Sequence, residues 1–184
     1  MLEKTESSRK KPCEIIGPND LWTRYAVSGE DSDWVVVGVG TPAGSDDQIG
    51  LALVRSLSCE TGYAGRCVVL ECADAAMVAS SLLEWKRPVV LVDAADMDLA
   101  PGEYRFFPDS KAVMTLKTSS VSTHGLGLAE GLEIARSLGY NRPIRIFGVQ
   151  PFDVSPKQEL SREMVEIFPS LLAALKNACD ELQP

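Results

Sequence analysis

The chain has 184 residues, 45% of them apolar and 24% charged, which suits one well-filled domain of ordinary globular composition. A formal net charge of −8 disfavours nucleic acid and anionic membrane as partners, because both select basic faces. No run of about 18 apolar residues is present to span a bilayer, and Met1–Lys11 lacks the apolar core of a signal peptide, so a cytoplasmic protein is expected. The five cysteines, Cys13, Cys59, Cys67, Cys72 and Cys179, are odd in number and show no CxxC spacing, which argues against a disulfide framework or a zinc knot.

Residues 1–32 read as a partly mobile N-terminal extension, charge-rich at first and then carrying Leu21, Trp22, Tyr25 and Val27, ahead of a single domain over 33–184. That domain opens with the β-branched run Val35-Val36-Val37, the kind a buried parallel strand needs, followed by a turn at Gly38 and Gly40. A helix is expected from about Asp47 to Ser58, with Ile49, Leu51, Leu53, Val54 and Leu57 as its apolar stripe and Asp46 and Asp47 at its start. Cys67–Cys72 reads as the second strand, Ala75–Trp85 as a helix with Met77, Val78, Leu82 and Leu83 inward, and Pro88–Asp93 as the third strand. Gly102–Phe107 follows Ala100-Pro101 too closely for a crossover helix, so it is expected as an antiparallel edge strand. Lys111–Thr123, rich in Ser and Thr, reads as a loop. A helix over His124–Leu138 then turns Leu128, Leu132, Ile134, Ala135 and Leu138 toward the core, capped by Ser122 or Thr123. Ile144–Val149 is the last strand, and a helix from Ser161 closes the chain, with Pro169 expected to bend it or start a new turn.

Strands alternating with helices imply a mostly parallel sheet covered on both faces, and such folds bind ligands at the carboxyl ends of their strands. Asp46 and Asp47 follow the first strand, Asp93 ends the third, and His124, the only histidine, opens the helix leading to the last. All four belong on one rim. Gly38, Gly40 and Gly44 do not match the dinucleotide fingerprint, since the third glycine comes one residue late and two acids stand where a pyrophosphate would sit. An acid ending the run Val89–Val92 needs a partner or a polar cleft, whereas acids at a helix start are favoured by capping alone. Taken together, two carboxylates and one imidazole form an O,O,N set that accepts a divalent metal weakly, and neighbouring helix residues diverge enough that only one of Asp46 and Asp47 faces it. No GxSxG elbow, Walker loop or HExxH helix accompanies them.

At these residues the chain resembles the hydrogenase maturation endopeptidases, which remove a C-terminal tail from the large subunit of nickel-iron hydrogenases. The similarity lies in Gly38–Gly50, in Leu91-Val-Asp-Ala-Ala-Asp96 with Pro101-Gly-Glu103, in Ser122-Thr-His-Gly-Leu-Gly-Leu128 and in Phe147-Gly-Val-Gln-Pro151, four motifs in order from Trp34 onward. The resemblance implies a three-layer α/β/α sandwich around a five-stranded sheet, a hydrogenase large-subunit precursor as partner, and Asp47, Asp93 and His124 as metal-contacting residues. It also implies that the nickel is carried by the precursor as the recognition element, with Asp47 and Asp93 as the catalytic carboxylates. Water activation by a carboxylate, in aspartic-type chemistry, and by the metal as Lewis acid are both left open. The family usually has Asn where Thr41 stands, Gly where Gln48 stands, and bulky apolar residues in place of Pro42–Ser45. Those departures support an alternative in which the chain binds the nickel-loaded precursor as a checkpoint without cutting it.

Overall fold

A computed structural model describes residues 33–63, 65–71, 75–112 and 128–182. Five strands, β1 (Val35–Gly40), β2 (Cys67–Glu71), β3 (Val89–Ala94), β4 (Tyr104–Pro108) and β5 (Ile144–Val149), form one sheet in the order β2-β1-β3-β5-β4. β2, β1, β3 and β5 are parallel neighbours, and β4 lies antiparallel on β5 at the edge, as the short Ala100-Pro101 connection predicts.

The period of two along each strand divides the core into two halves. Val35, Val37, Val89, Leu91, Ile144 and Ile146 face one way, onto α2 (Ala75–Trp85) and α3 (Leu128–Ser137), through Val78, Leu82, Leu132 and Ala135. Val36, Val90, Val92, Phe147 and Val149 face the other way, onto α1 (Ile49–Ser58) and α4 (Arg162–Asp180), through Leu53, Val54, Leu57, Met164, Leu171 and Leu175. The result is the expected three-layer α/β/α sandwich. Strands buried on both faces explain the apolar runs of β1, of β3 as far as Val92, and of β5 apart from Arg145.

Two local expectations need correction. Asp46 and Asp47 do not open the α-helix; they lie on a 3-10 turn, Ser45–Gln48, that precedes α1. Leu138 is 65% exposed, because α3 ends in a Schellman turn: Gly139 takes φ +97°, its amide bonds Arg136 O and the Tyr140 amide bonds Ala135 O. That turn buries Tyr140 and swings Leu138 outward. Pro169 lies inside α4, which runs from Arg162 to Asp180, so no new element starts there. The carbonyl it leaves without a helical donor belongs to Val165, which is 56% exposed, so water can serve it. The reading of residues 1–32 and most of the loop before α3 lie outside the described residues. Among those described, no helix is long and apolar enough to cross a membrane.

Candidate functional site

Asp93 is the penultimate residue of β3 and Asp47 sits on the turn that follows β1, so both stand on the rim made by the carboxyl ends of the parallel strands. The approach is enforced from below. Gly50, at the start of α1, lies so close to the strands that a β-carbon there would come within 2.2 Å of Val92 O and 2.4 Å of Val39 O. Gly40 leaves β1 with φ +149°, and a β-carbon on it would meet Asp47 O at 2.0 Å. A side chain at either position would push the turn away from the sheet.

The two acids of the turn have different partners. Asp46 has no exposed surface. One of its carboxylate oxygens accepts from the amides of Phe152 (2.9 Å) and Asp153 (3.0 Å) and from Ser161 Oγ (2.8 Å), and the other accepts from the Ser161 amide at 2.8 Å. Asp47 instead accepts the Thr41 amide at 2.9 Å and faces Asp93. Neither carboxylate caps α1, whose cap residue is Gln48 and has no side-chain cap bond. One of the two acids therefore faces the rim, and it is Asp47.

Asp93 is half-buried, and burial pushes its carboxyl well above the ordinary range; the neighbouring charge of Asp47 adds to the rise, while a hydrogen bond from the Ala94 backbone opposes it. Such a carboxyl favours folding while protonated and loses that contribution as pH rises through its native value. At neutral pH its ionisation opposes folding. Asp93→Asn is therefore expected to raise the melting temperature at pH 8 by roughly 3 °C or more, with no change near pH 3, where both states carry a neutral side chain. Thermal unfolding followed by circular dichroism reads this directly, and a lowered melting temperature at pH 8 would mean that Asp93 is a structural acid.

The third predicted ligand, His124, lies outside the described residues, as do Ser122 and Thr123. Among the described residues no group of three or more His, Cys, Asp or Glu side chains could by itself hold a metal ion. A cleft of about 810 Å³ opens between the turn and the segment leading into α4, lined by Ser45, Phe152, Asp153, Lys157, Gln158 and Leu160 and by neither Asp47 nor Asp93. Lys157 bonds Asp153 at 2.6 Å, and that bond with those from Ser155 lowers the Asp153 carboxyl to about 2.

Two contributors escaped the sequence reading. Gln150, directly after β5, accepts the Met97 amide at 2.8 Å and pins the loop that follows Asp93. Its signal was a polar residue terminating an apolar strand. Ser161 is the N-cap of α4, accepting the Met164 amide at 3.2 Å, and at the same time donates to Asp46; serine before an apolar-periodic stretch announced the cap, but nothing local announced a partner 115 residues away.

The model of one protein family, described as HycI, hydrogenase maturation protease, matches residues 54–178, a span that includes Asp93 and His124 and begins just after Asp47. A curated relative, the hydrogenase expression/formation protein HupD of Thiocapsa roseopersicina, is 25% identical over 125 residues; the match covers 67% of this chain and 57% of the relative's length. Among solved structures, the hydrogenase maturating endopeptidase HybD from E. coli superposes with a TM-score of 0.63 at 26% identity, over 81% of this chain and 93% of HybD. The solution structure of an endopeptidase from Escherichia coli shares the fold, with a TM-score of 0.66 at 24% identity over 81% and 93% of the two chains. With this fold, this rim and a family match over more than half its length, the chain belongs to the hydrogenase maturation proteases.

Proposed function

We propose that this chain is a cytoplasmic endopeptidase that removes the C-terminal tail of a nickel-loaded hydrogenase large-subunit precursor. The observation that carries the reading is the pair Asp47 and Asp93 on the strand-end rim, near enough for the charge of Asp47 to raise the Asp93 carboxyl. On this reading the two carboxylates and His124 grip nickel that arrives in the substrate, and the precursor's own ligands complete the metal's sphere. An incomplete protein donor set is what a transient, substrate-borne metal requires, since a full set would retain it. Gripping the metal fixes the precursor chain near the carboxylates and makes attack on the scissile bond effectively intramolecular. The attacking water is polarised either by a carboxylate or by nickel as Lewis acid. With its pKa raised, Asp93 suits the holding and return of a proton.

One observation favours a second reading. Gln48, where the family usually has glycine, donates from its side chain to Gln158 O at 2.9 Å and so ties the turn to the cleft wall. A rim braced in this way suits a checkpoint that binds the loaded precursor without cutting it. Incubation of the loaded precursor with this protein, read by intact mass and size-exclusion chromatography, separates the two. Loss of a C-terminal fragment supports the protease, and a stable complex with an unshortened precursor supports the checkpoint.

A further inference from the structure

We infer that Asp46 is a positioning residue for Asp47, setting the direction of that carboxylate by locking the 3-10 turn onto the segment that follows β5; this rests on the reading of Asp47 as a nickel-gripping group. The bonds made by the Asp46 carboxylate and amide all converge on one piece of chain. Its two carboxylate oxygens take the Phe152, Asp153 and Ser161 amides and the Ser161 hydroxyl, and its own amide donates to Asp153 O at 2.9 Å. On either side of it, the Ser45 amide bonds Lys157 O at 2.9 Å and the Gln48 side chain bonds Gln158 O. The turn is thus held to residues 152–161 at Ser45, Asp46 and Gln48, with Asp47 the one residue left to point elsewhere.

Asp46 fixes a direction because successive residues of a 3-10 turn point about 120° apart. With Asp46 drawn fully into the 152–161 segment, the next side chain is turned toward the rim, where the Thr41 amide and the charge on Asp93 meet it. The turn does not hold this shape unaided. Ser45 sits in the left-handed region at φ +51°, a conformation that a non-glycine residue keeps only when its surroundings impose it. Removing the Asp46 anchor lets the turn relax, and Asp47 then rotates away from Asp93. An acid that merely glued two segments together would give stability without this directional effect on its neighbour.

Two variants of the full-length chain test this. Asp46→Asn must present an NH₂ group either to the Ser161 amide or to the three donors grouped on the other oxygen. Ser161→Ala is milder, removing one of the four donors and the α4 cap. The first readout is amide hydrogen exchange at Thr41, whose N–H reports where the Asp47 carboxylate lies, set against Val37 in β1. In Asp46→Asn, Thr41 protection is expected to fall at least about tenfold beyond any change at Val37. The second readout is tail removal, where kcat is expected to fall about 100-fold while KM for the precursor stays within about threefold, the pattern of a misplaced catalytic group. Ser161→Ala should show both effects more weakly, and it decides the question if Asp46→Asn does not fold. Thr41 protection unchanged relative to Val37, or kcat unchanged despite its loss, overturns the inference. If the wild-type protein cuts nothing, the protease reading fails, and Thr41 protection still decides the role of Asp46.

Discussion

Asp47→Asn is expected to reduce tail removal at least about 1,000-fold in kcat/KM, the scale seen when a charged group acting at the reacting centre is neutralised. The melting temperature should stay within about 2 °C of wild type, because the local chemistry of the fold survives the change. Asn retains a carbonyl oxygen for the Thr41 amide, which Asp47 now accepts at 2.9 Å. Neutralisation also removes the like charge that opposes ionisation of Asp93. Initial rates from precursor mass spectra, alongside thermal unfolding, measure both quantities. Full activity in a folded Asp47→Asn protein would remove Asp47 from the site, and with it the assignment of the rim.

Gly50→Ala is expected to be strongly damaging for a change that adds a single methyl group. The added carbon would lie 2.2 Å from Val92 O and 2.4 Å from Val39 O, and both obstacles are backbone in the central strands, so no rotamer change relieves them. α1 must lift from the sheet, opening the packing of Ile49, Leu53, Val54 and Leu57 against Val36, Val90 and Val92. A loss of about 3 kcal/mol or more follows, seen as a large drop in denaturant midpoint, together with lost processing because Asp47 moves with the helix start. A midpoint within experimental error of wild type would show that α1 and β3 do not approach as closely as this account requires.

Much of this architecture was legible because its determinants are local. Val35–Val37, Val89–Val92 and Ile144–Val149 carry their burial in their composition, and the short link at Ala100-Pro101 forced β4 to run antiparallel. The placement of Asp93 was legible for the same reason, since an acid ending an apolar strand has few roles. Long-range pairings stayed hidden. No local rule could say which of Asp46 and Asp47 turns inward, because the answer depends on Phe152, Asp153 and Ser161, more than a hundred residues later in the chain. The helix start was misplaced by two residues because acids favour an α-helical first turn and a 3-10 turn equally well by their charge. Leu138 misled because its spacing matched the apolar stripe, while Gly139 and buried Tyr140 ended the helix in a turn that reversed its direction.

The central claim is that Asp47, Asp93 and His124 read a nickel carried by the substrate. The most direct measurement is the intact mass of the precursor after incubation with this protein, with nickel-loaded and nickel-free precursor run side by side. The account predicts loss of a C-terminal tail from the loaded form alone. Equal cutting of the nickel-free form would contradict it, because the three residues would then have no metal to read.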